Sequence, residues 1–302
     1  MNDGILSQGK SAPIMPLPLT VGSSIPLLTP RGFIGSDSDA ISYINRVETA
    51  DNARLEPAVK LAITQFIIGC KTDGIWNAIK ASCILMGART LSGALVPLVG
   101  SSPTNVNFVS GDYVRYEGLI GNGVNKYLNS NRNVNADSIT DHHCAAYIKT
   151  PTSTALLGSV GLASAMGGRN PNGNSIGSKR LVLTNSQSRC IFQTASAPNT
   201  DNEFNSGDYT MNTYMFGGIA RNRDNLFESR SNNRTTTVNS LISASPVSAT
   251  LFIFAFNEAG SPNPATYYPN AIAFYSIGQY LNLANLDTRV TILFNTLNTI
   301  LR

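Results

Sequence analysis

Residues 248–256 read Ser-Ala-Thr-Leu-Phe-Ile-Phe-Ala-Phe, the most apolar strand-like run in the chain. In an extended strand Leu251, Ile253 and Ala255 share one face, and Phe252, Phe254 and Phe256 share the other. An antiparallel strand with one wet face alternates apolar with polar. This run therefore predicts cover on both sides, by a second sheet on one and by a helix on the other.

Candidate helices lie before and after the strand-rich region. Ile41, Ile44 and Val47 mark one face of a short helix opened by Asp39, with Ser36, Asp37 or Ser38 as its cap. Pro57 stands in the first turn of a stronger helix, where Val59, Ala62, Ile63, Phe66, Ile67 and Cys70 follow the spacing of one buried face. Asp73-Gly74 ends it, and residues 75–80 read as a further turn or two with Trp76 and Ile79 inward. At the other end of the chain Leu283, Leu286, Val290, Leu293, Leu297 and Ile300 recur at three-four spacing behind an Asn282 cap. Leu286, Val290, Leu293 and Leu297 suit either a coiled-coil seam in an oligomer or packing on the sandwich. Phe294 and Leu301 widen the face beyond a strict seam and favour packing.

Between these helices the pattern changes to short runs separated by Gly, Asn, Ser and Pro. Strands are expected at 83–86, 113–116, 126–128, 142–148, 155–160, 180–184, 189–193, 213–219, 226–229, 235–238, 248–256 and 271–276. So many strands with no helix among them predict a mainly β protein built as an antiparallel β-sandwich.

Residues 1–36 differ from everything that follows. Pro13, Pro16, Pro18, Pro26 and Pro30 alternate with Ile14, Met15, Leu17, Leu19, Val21, Ile25, Leu27 and Leu28. Proline at this density prevents a helix, and the aliphatic content is too high for a linker. The segment is expected to be an extended arm whose apolar residues bind a partner surface, with wrapping of its own domain as the alternative. The expected organisation is an arm over 1–36, a helical cap over 37–82, and the sandwich with its C-terminal helix over 83–302.

Composition adds mainly exclusions. The chain has 302 residues, 42% of them hydrophobic, which is enough for a real core, and only 13% charged. Asn is about one residue in ten. A net charge of +4 with scattered signs gives no footprint for nucleic acid. The best basic cluster, Arg221, Arg223, Arg230 and Arg234, has Asp224 and Glu228 among it and reads as solvated hairpin faces. Cys70, Cys83, Cys144 and Cys190 lack metal-site or redox spacing and are expected to be reduced. No signal-peptide pattern and no run of membrane-spanning length is present, which predicts synthesis and folding in a cytoplasm without membrane insertion.

No constellation names a reaction. The paired-carboxylate pattern Glu-x-Asp-x-x-Glu of sandwich glucanases is missing, and Glu203 with Asp201 and Asp208, the nearest acidic cluster, lies in an Asn/Gly-rich loop. His142 and His143 are adjacent on an expected strand, so they point to opposite faces and cannot chelate one metal. Asp141 beside them suits a strand-edge turn better than a calcium site. Residues 166–174, Met-Gly-Gly-Arg-Asn-Pro-Asn-Gly-Asn, have no phosphate-loop Lys and read as a hairpin tip or an exposed contact loop. The expectation is a protein that is not an enzyme and has no cofactor and no metal.

Four stretches carry a resemblance. Tyr43-Ile44-Asn45-Arg46-Val47, the run Lys71-Thr72-Asp73-Gly74-Ile75-Trp76-Asn77-Ala78-Ile79-Lys80-Ala81, and Gly121-Asn122-Gly123-Val124-Asn125-Lys126-Tyr127-Leu128-Asn129-Ser130-Asn131 resemble a module of tailed-bacteriophage virion proteins. The closing Ala273-Phe274-Tyr275-Ser276-Ile277-Gly278 with its Leu-rich helix resembles the end of the same module. The resemblance covers residues 40–302. It implies a jelly-roll, concanavalin-like or laminin-G-like sandwich in a virion structural protein, without saying which part of the particle, and residues 1–36 fall outside it. The first expectation is a component of the tail, fibre or baseplate, anchored by the arm to other virion proteins and forming a homo-oligomer. Capsid decoration is the alternative, and a carbohydrate-binding lectin or glycosidase the second. A host-surface glycan is the further partner class implied.

Overall fold

The computed structural model describes residues 37–138, 140–150, 152, 162–169, 179–184, 190–194, 202–203, 210, 212–231, 233–239, 248–258 and 260–302. The arm, with Ile14, Met15, Leu17, Leu19, Val21, Ile25, Leu27 and Leu28, and the strand expected at 155–160 lie outside these residues.

Four helices are described: α1 (Ser38–Asp51), α2 (Pro57–Thr72), the single turn α3 (Leu91–Ala94) and α4 (Leu283–Leu301). Their ends follow from sequence. Asp37 Oδ1 accepts from the amides of Asp39 and Ala40, Pro57 opens α2, and Asn282 Oδ1 accepts from Ala284 and Asn285.

The strands form two sheets. Sheet one runs β14 (Arg234–Asn239), β13 (Leu226–Ser231), β12 (Tyr214–Arg223), β7 (His142–Lys149), β18 (Ala271–Gly278), β1 (Ile79–Ile84), β2 (Pro97–Val99), and β4 (Tyr113–Val114) and β5 (Gly118–Ile120) attach beside β18. Sheet two runs β11 (Asn202–Glu203), β10 (Cys190–Thr194), β9 (Lys179–Thr184), β8 (Leu162–Arg169), β15 (Thr250–Ile253), β6 (Tyr127–Asn133), β3 (Thr104–Val106), with β16 (Asn257–Glu258) and β17 (Ser261–Pro262) appended. Neighbours pair antiparallel except β16 with β8. The molecule is a mainly β antiparallel sandwich with N-terminal helices and a C-terminal helix.

Side-chain alternation on β7 defines the layers. Cys144, Ala146 and Ile148 join a core between the sheets, whereas Ala145 and Tyr147 join a second core under the helices. β18 does the same through a bulge. Ile272 pairs with Ile148 and Phe274 with Tyr147, so Ala273 and Phe274 both enter the helix-side core while Ile272, Tyr275 and Ile277 face sheet two. Phe66 of α2 meets Phe274 edge-on at 5.9 Å, and Phe294 of α4 stacks on Tyr147 at 5.0 Å. Leu286, Val290, Leu293 and Leu297 are buried in this helix-side core.

Several expectations change here. The helices cover sheet one and not the 248–256 strand, because that strand belongs to sheet two and meets the other sheet with its inner face. Burial across 251–256 is complete, yet the regular strand stops at Ile253. Phe254 has φ of 70°, a left-handed conformation that is rare for a bulky residue. That reversal breaks the alternation and brings Phe254 into the inter-sheet core beside Leu251 and Ile253, with its ring 4.9 Å from Phe108. Residues 75–80 do not make a helix of a turn or two. A 3-10 turn at Trp76–Ala78 leads straight into β1, so the sandwich begins at Ile79, and Trp76 is half-exposed. Residues 166–169 of the expected hairpin tip belong to β8, where Met166 is buried between the sheets, and residues 170–174 lie outside the described residues. Arg221 is not solvated either. It is buried on β12, with Nε donating to the Arg223 carbonyl at 2.8 Å. Arg230 reaches α4, where Nε donates to buried Asp287 at 2.7 Å.

Ion pairs close the seams between layers. Asp73, at the end of α2, receives both arms of Arg289 of α4 at 2.7 and 2.8 Å. Glu56, the residue before Pro57, accepts from Arg115 and from Arg89, and the Arg115 guanidinium holds its carboxyl down at about 2.

Two measurements test this account. Phe254→Ala removes a ring with no solvent exposure and should lower unfolding free energy by about 3 to 5 kcal/mol in denaturant titration; a loss below about 1 kcal/mol contradicts the packing described. Glu56 has its carboxyl depressed from 4.5, so its contribution is complete above that unfolded value and disappears as pH falls towards about 2. With its side chain 36% exposed, solvent screening reduces the effect to about 1 kcal/mol. Glu56→Gln should flatten the acid limb of the stability profile by that amount.

Candidate functional site

Three depressions on the described surface differ in what their walls offer. An apolar groove of about 390 Å³ lies between α2 and α4, where Ile68 is 39% and Ile292 52% exposed. A polar depression of about 340 Å³ is lined by Asp39, Lys71, Gly74, Trp76 and Asn77. A third, of about 440 Å³, opens where the β1–β2 edge of sheet one meets β6 of sheet two.

The Trp76 depression holds the chain's only tryptophan, but its charged groups and the indole N–H are spent on one another. Lys71 Nζ lies 2.7 Å from Asp37 and 2.6 Å from Asp39, and Trp76 Nε1 donates to Asp39 at 3.2 Å. The Lys71 hydrogen bond holds the Asp37 carboxyl below its usual range. The same ammonium stands 5.7 Å from the indole centroid. A ligand here would have to displace internal partners before making its own bonds.

The third cleft is built differently. β6 alternates inward Leu128 and Ser130 with outward Asn129 and Asn131, and then bulges. Phe252 of β15 pairs with Asn129 and Thr250 with Asn133, so four steps on β6 face two on β15. Asn131, at φ of 56°, turns the bulge in a conformation that asparagine tolerates better than most residues. Internal bonds hold the bulge in place: Ser130 Oγ donates to the Leu251 carbonyl at 2.6 Å, and Asn131 Nδ2 donates to the Ser102 carbonyl at 2.8 Å. Arg132 makes a two-armed pair with Asp137, whose side chain is 2% exposed.

What remains around the mouth is uncommitted. Asn133 and Asn135 are exposed, and their amides make no hydrogen bond in the described residues; Ser101 is exposed beside them. Each amide offers two donors and an acceptor, and the hydroxyl offers both roles. Lys80 lines the cleft from β1, and among the described residues no carboxylate does. Such walls can read a ligand rich in hydroxyl groups by hydrogen bonding. Among the described residues that line the cleft there is no histidine, thiol or carboxylate.

The residues singled out in the sequence lie elsewhere. His142 and His143 are both buried; His143 Nδ1 lies 2.5 Å from the Gln279 carbonyl and Nε2 2.7 Å from Ser276 Oγ, and His142 Nδ1 lies 3.0 Å from the Ser138 carbonyl. Asp141 accepts from the Tyr280 amide at 2.8 Å and from Gln279 Nε2 at 3.1 Å, the strand-edge turn arrangement. Among the described residues no group of His, Cys, Asp or Glu could hold a metal ion, and no helix is long and apolar enough to cross a membrane. Cys70, Cys83 and Cys144 are buried thiols, and burial pushes Cys70 and Cys83 up to about 12. Sequence reading missed the cleft residues. The one available signal was the density of Asn between 129 and 135, which has no chemistry until a bulge gathers it.

No family model and no curated protein matches the chain. Similar solved structures include the binding domain of botulinum neurotoxin serotype D, at 15% identity over 72% of this chain and 51% of that one, with a TM-score of 0.46. The CBM40 domain of Ruminococcus gnavus IT-sialidase bound to alpha2,3 sialyllactose has 11% identity over 49% and 80%, with a TM-score of 0.36. Domain 4 of AbnA, a GH43 extracellular arabinanase from Geobacillus stearothermophilus, in complex with arabinotriose, has 8% identity over 63% and 82%, with a TM-score of 0.38. The chain spans about half the length of the neurotoxin domain that it matches. Sharing so few residues, these likenesses transfer no site residue to this chain.

Proposed function

We propose that this chain is a non-catalytic, lectin-like saccharide-binding module whose ligand sits in the cleft between β1 and β6. The observation that carries the reading is the pair of exposed, uncommitted Asn133 and Asn135 amides on a bulge whose other polar groups are internally satisfied. A rigid frame with unspent donors and acceptors at its mouth loses little entropy on binding, and it matches the dense hydroxyl pattern of a sugar. The distant sandwiches that hold sialyllactose or arabinotriose are not needed for this reading. Calorimetric titration of the full chain with a panel of oligosaccharides tests it. One class should bind, and Asn133→Ala combined with Asn135→Ala should weaken it about tenfold with an unchanged melting curve. Absence of binding across the panel, or equal binding by the double variant, overturns the assignment.

A second reading, an assembled virion component held through protein contacts, is favoured by the groove between α2 and α4, where Ile68 and Ile292 leave apolar surface in water. On this reading purified phage particles contain the chain, and Ile68→Asp with Ile292→Asp abolishes its incorporation while the protein still folds. Absence from particles by mass spectrometry removes it. The two readings are compatible, since groove and cleft share no lining residue.

A further inference from the structure

Lys80 is the extra residue of a β-bulge. Ile79 pairs with Gly278 and Ala81 with Ile277, so β1 spends two steps where β18 spends one. The backbone on both sides is fitted to it. A Cβ on Gly278 would stand 2.1 Å from the Ala78 carbonyl oxygen and 2.9 Å from the Lys80 amide nitrogen. Gly100, which follows β2 at φ of 87°, passes so close on the other side that a Cβ there would stand 2.4 Å from the Lys80 carbonyl oxygen. Only glycine permits both approaches. The bulge clamped between them puts Lys80 in the wall of the cleft, half-buried, where regular alternation would have settled its direction by burial alone.

The charge balance inside the cleft is unequal. Arg132 is neutralised by both oxygens of buried Asp137. Among the described residues Lys80 makes no ion pair and no carboxylate lines the walls. Lys71, Lys60, Lys126 and Lys149, by contrast, each lie on a carboxylate. An ammonium partly removed from water and left without a counter-charge is unfavourable, and an anion entering the cleft relieves it. The amide N–H donors of Asn133 and Asn135 at the same mouth add neutral donors suited to an oxyanion.

From this arrangement we infer that the ligand of the cleft is an acidic saccharide, its anionic group held by Lys80 and its hydroxyl groups read by Asn133 and Asn135. This rests on the saccharide-binding reading above and adds the class of sugar. A carboxylate and a sulfate ester present the same charge to the ammonium, and either one supplies the anion.

The test uses the full chain and matched oligosaccharides that differ only in being neutral, carboxylated or sulfated, titrated at low and high salt. The acidic members should bind about tenfold tighter than the neutral one at low salt, with the preference shrinking as salt rises. Lys80→Gln should bring acidic and neutral ligands to the same affinity, and Lys80→Arg should keep the preference. The carboxylated and sulfated arms show which anion is used. Equal binding of neutral and acidic sugars by the unaltered protein overturns the inference and leaves the saccharide reading standing. An acidic preference that survives Lys80→Gln overturns the assignment of Lys80. If no sugar binds, the saccharide reading fails and this inference fails with it. Inorganic sulfate then checks the anion site alone, since a Lys80-dependent affinity for sulfate would keep the cation's role without the sugar.

Discussion

Everything in this molecule depends on one sheet being dry on both sides. β7 and β18 have no solvated face, so their backbone groups must be paired laterally by β12 on one side and β1 on the other, and every side chain must find an apolar or hydrogen-bonded site. Ala145 and Ala273 leave room for rings, and Tyr147, Phe274, Phe66 and Phe294 fill it on the helix side. Burial of each such ring is worth on the order of 1.5 to 3 kcal/mol, which is the reason the helix layer is fixed to the sandwich and is not an appendage.

The buried polar groups follow from the same arrangement. His143, Ser276 and Ser82 sit inside the doubly covered sheet and are tolerated because each has a partner: Ser276 Oγ for His143, and the Tyr275 carbonyl for Ser82. Two of the ion pairs lie instead where layers meet water. Asp73 with Arg289 and Glu56 with Arg115 hold helices in register with each other and with the sheet, and they add specificity more than stability.

Bulges interrupt the regularity of this scaffold at the edge that holds the cleft. A regular antiparallel ladder offers only alternating side chains at its faces, whereas an inserted residue redirects a side chain and ends pairing locally. The insertion on β6 exposes amides and the insertion on β1 places a cation opposite them, at the edges where sheet one and sheet two approach. The frame behind each is tightly bonded, so whatever binds there meets groups already in place.

The periodicity of the chain was enough to locate α1, α2 and α4, their caps, and most strands, because one-sided burial leaves a 3.6 or a 2.0 repeat in the sequence. It was also enough to show that residues 251–256 are buried throughout. It did not say which sheet they join or what covers them, because apolarity on two faces is the same signal whether the cover is a helix or another sheet. That choice belongs to tertiary pairing, as does the turn at Phe254, where a left-handed backbone puts a ring on the face opposite to its place in the alternation. The cleft was the least legible part. Asn133 and Asn135 lie 53 and 55 positions from Lys80 and are ordinary surface residues in one dimension; they line one depression only because two bulges, on different sheets, lie at the same edge.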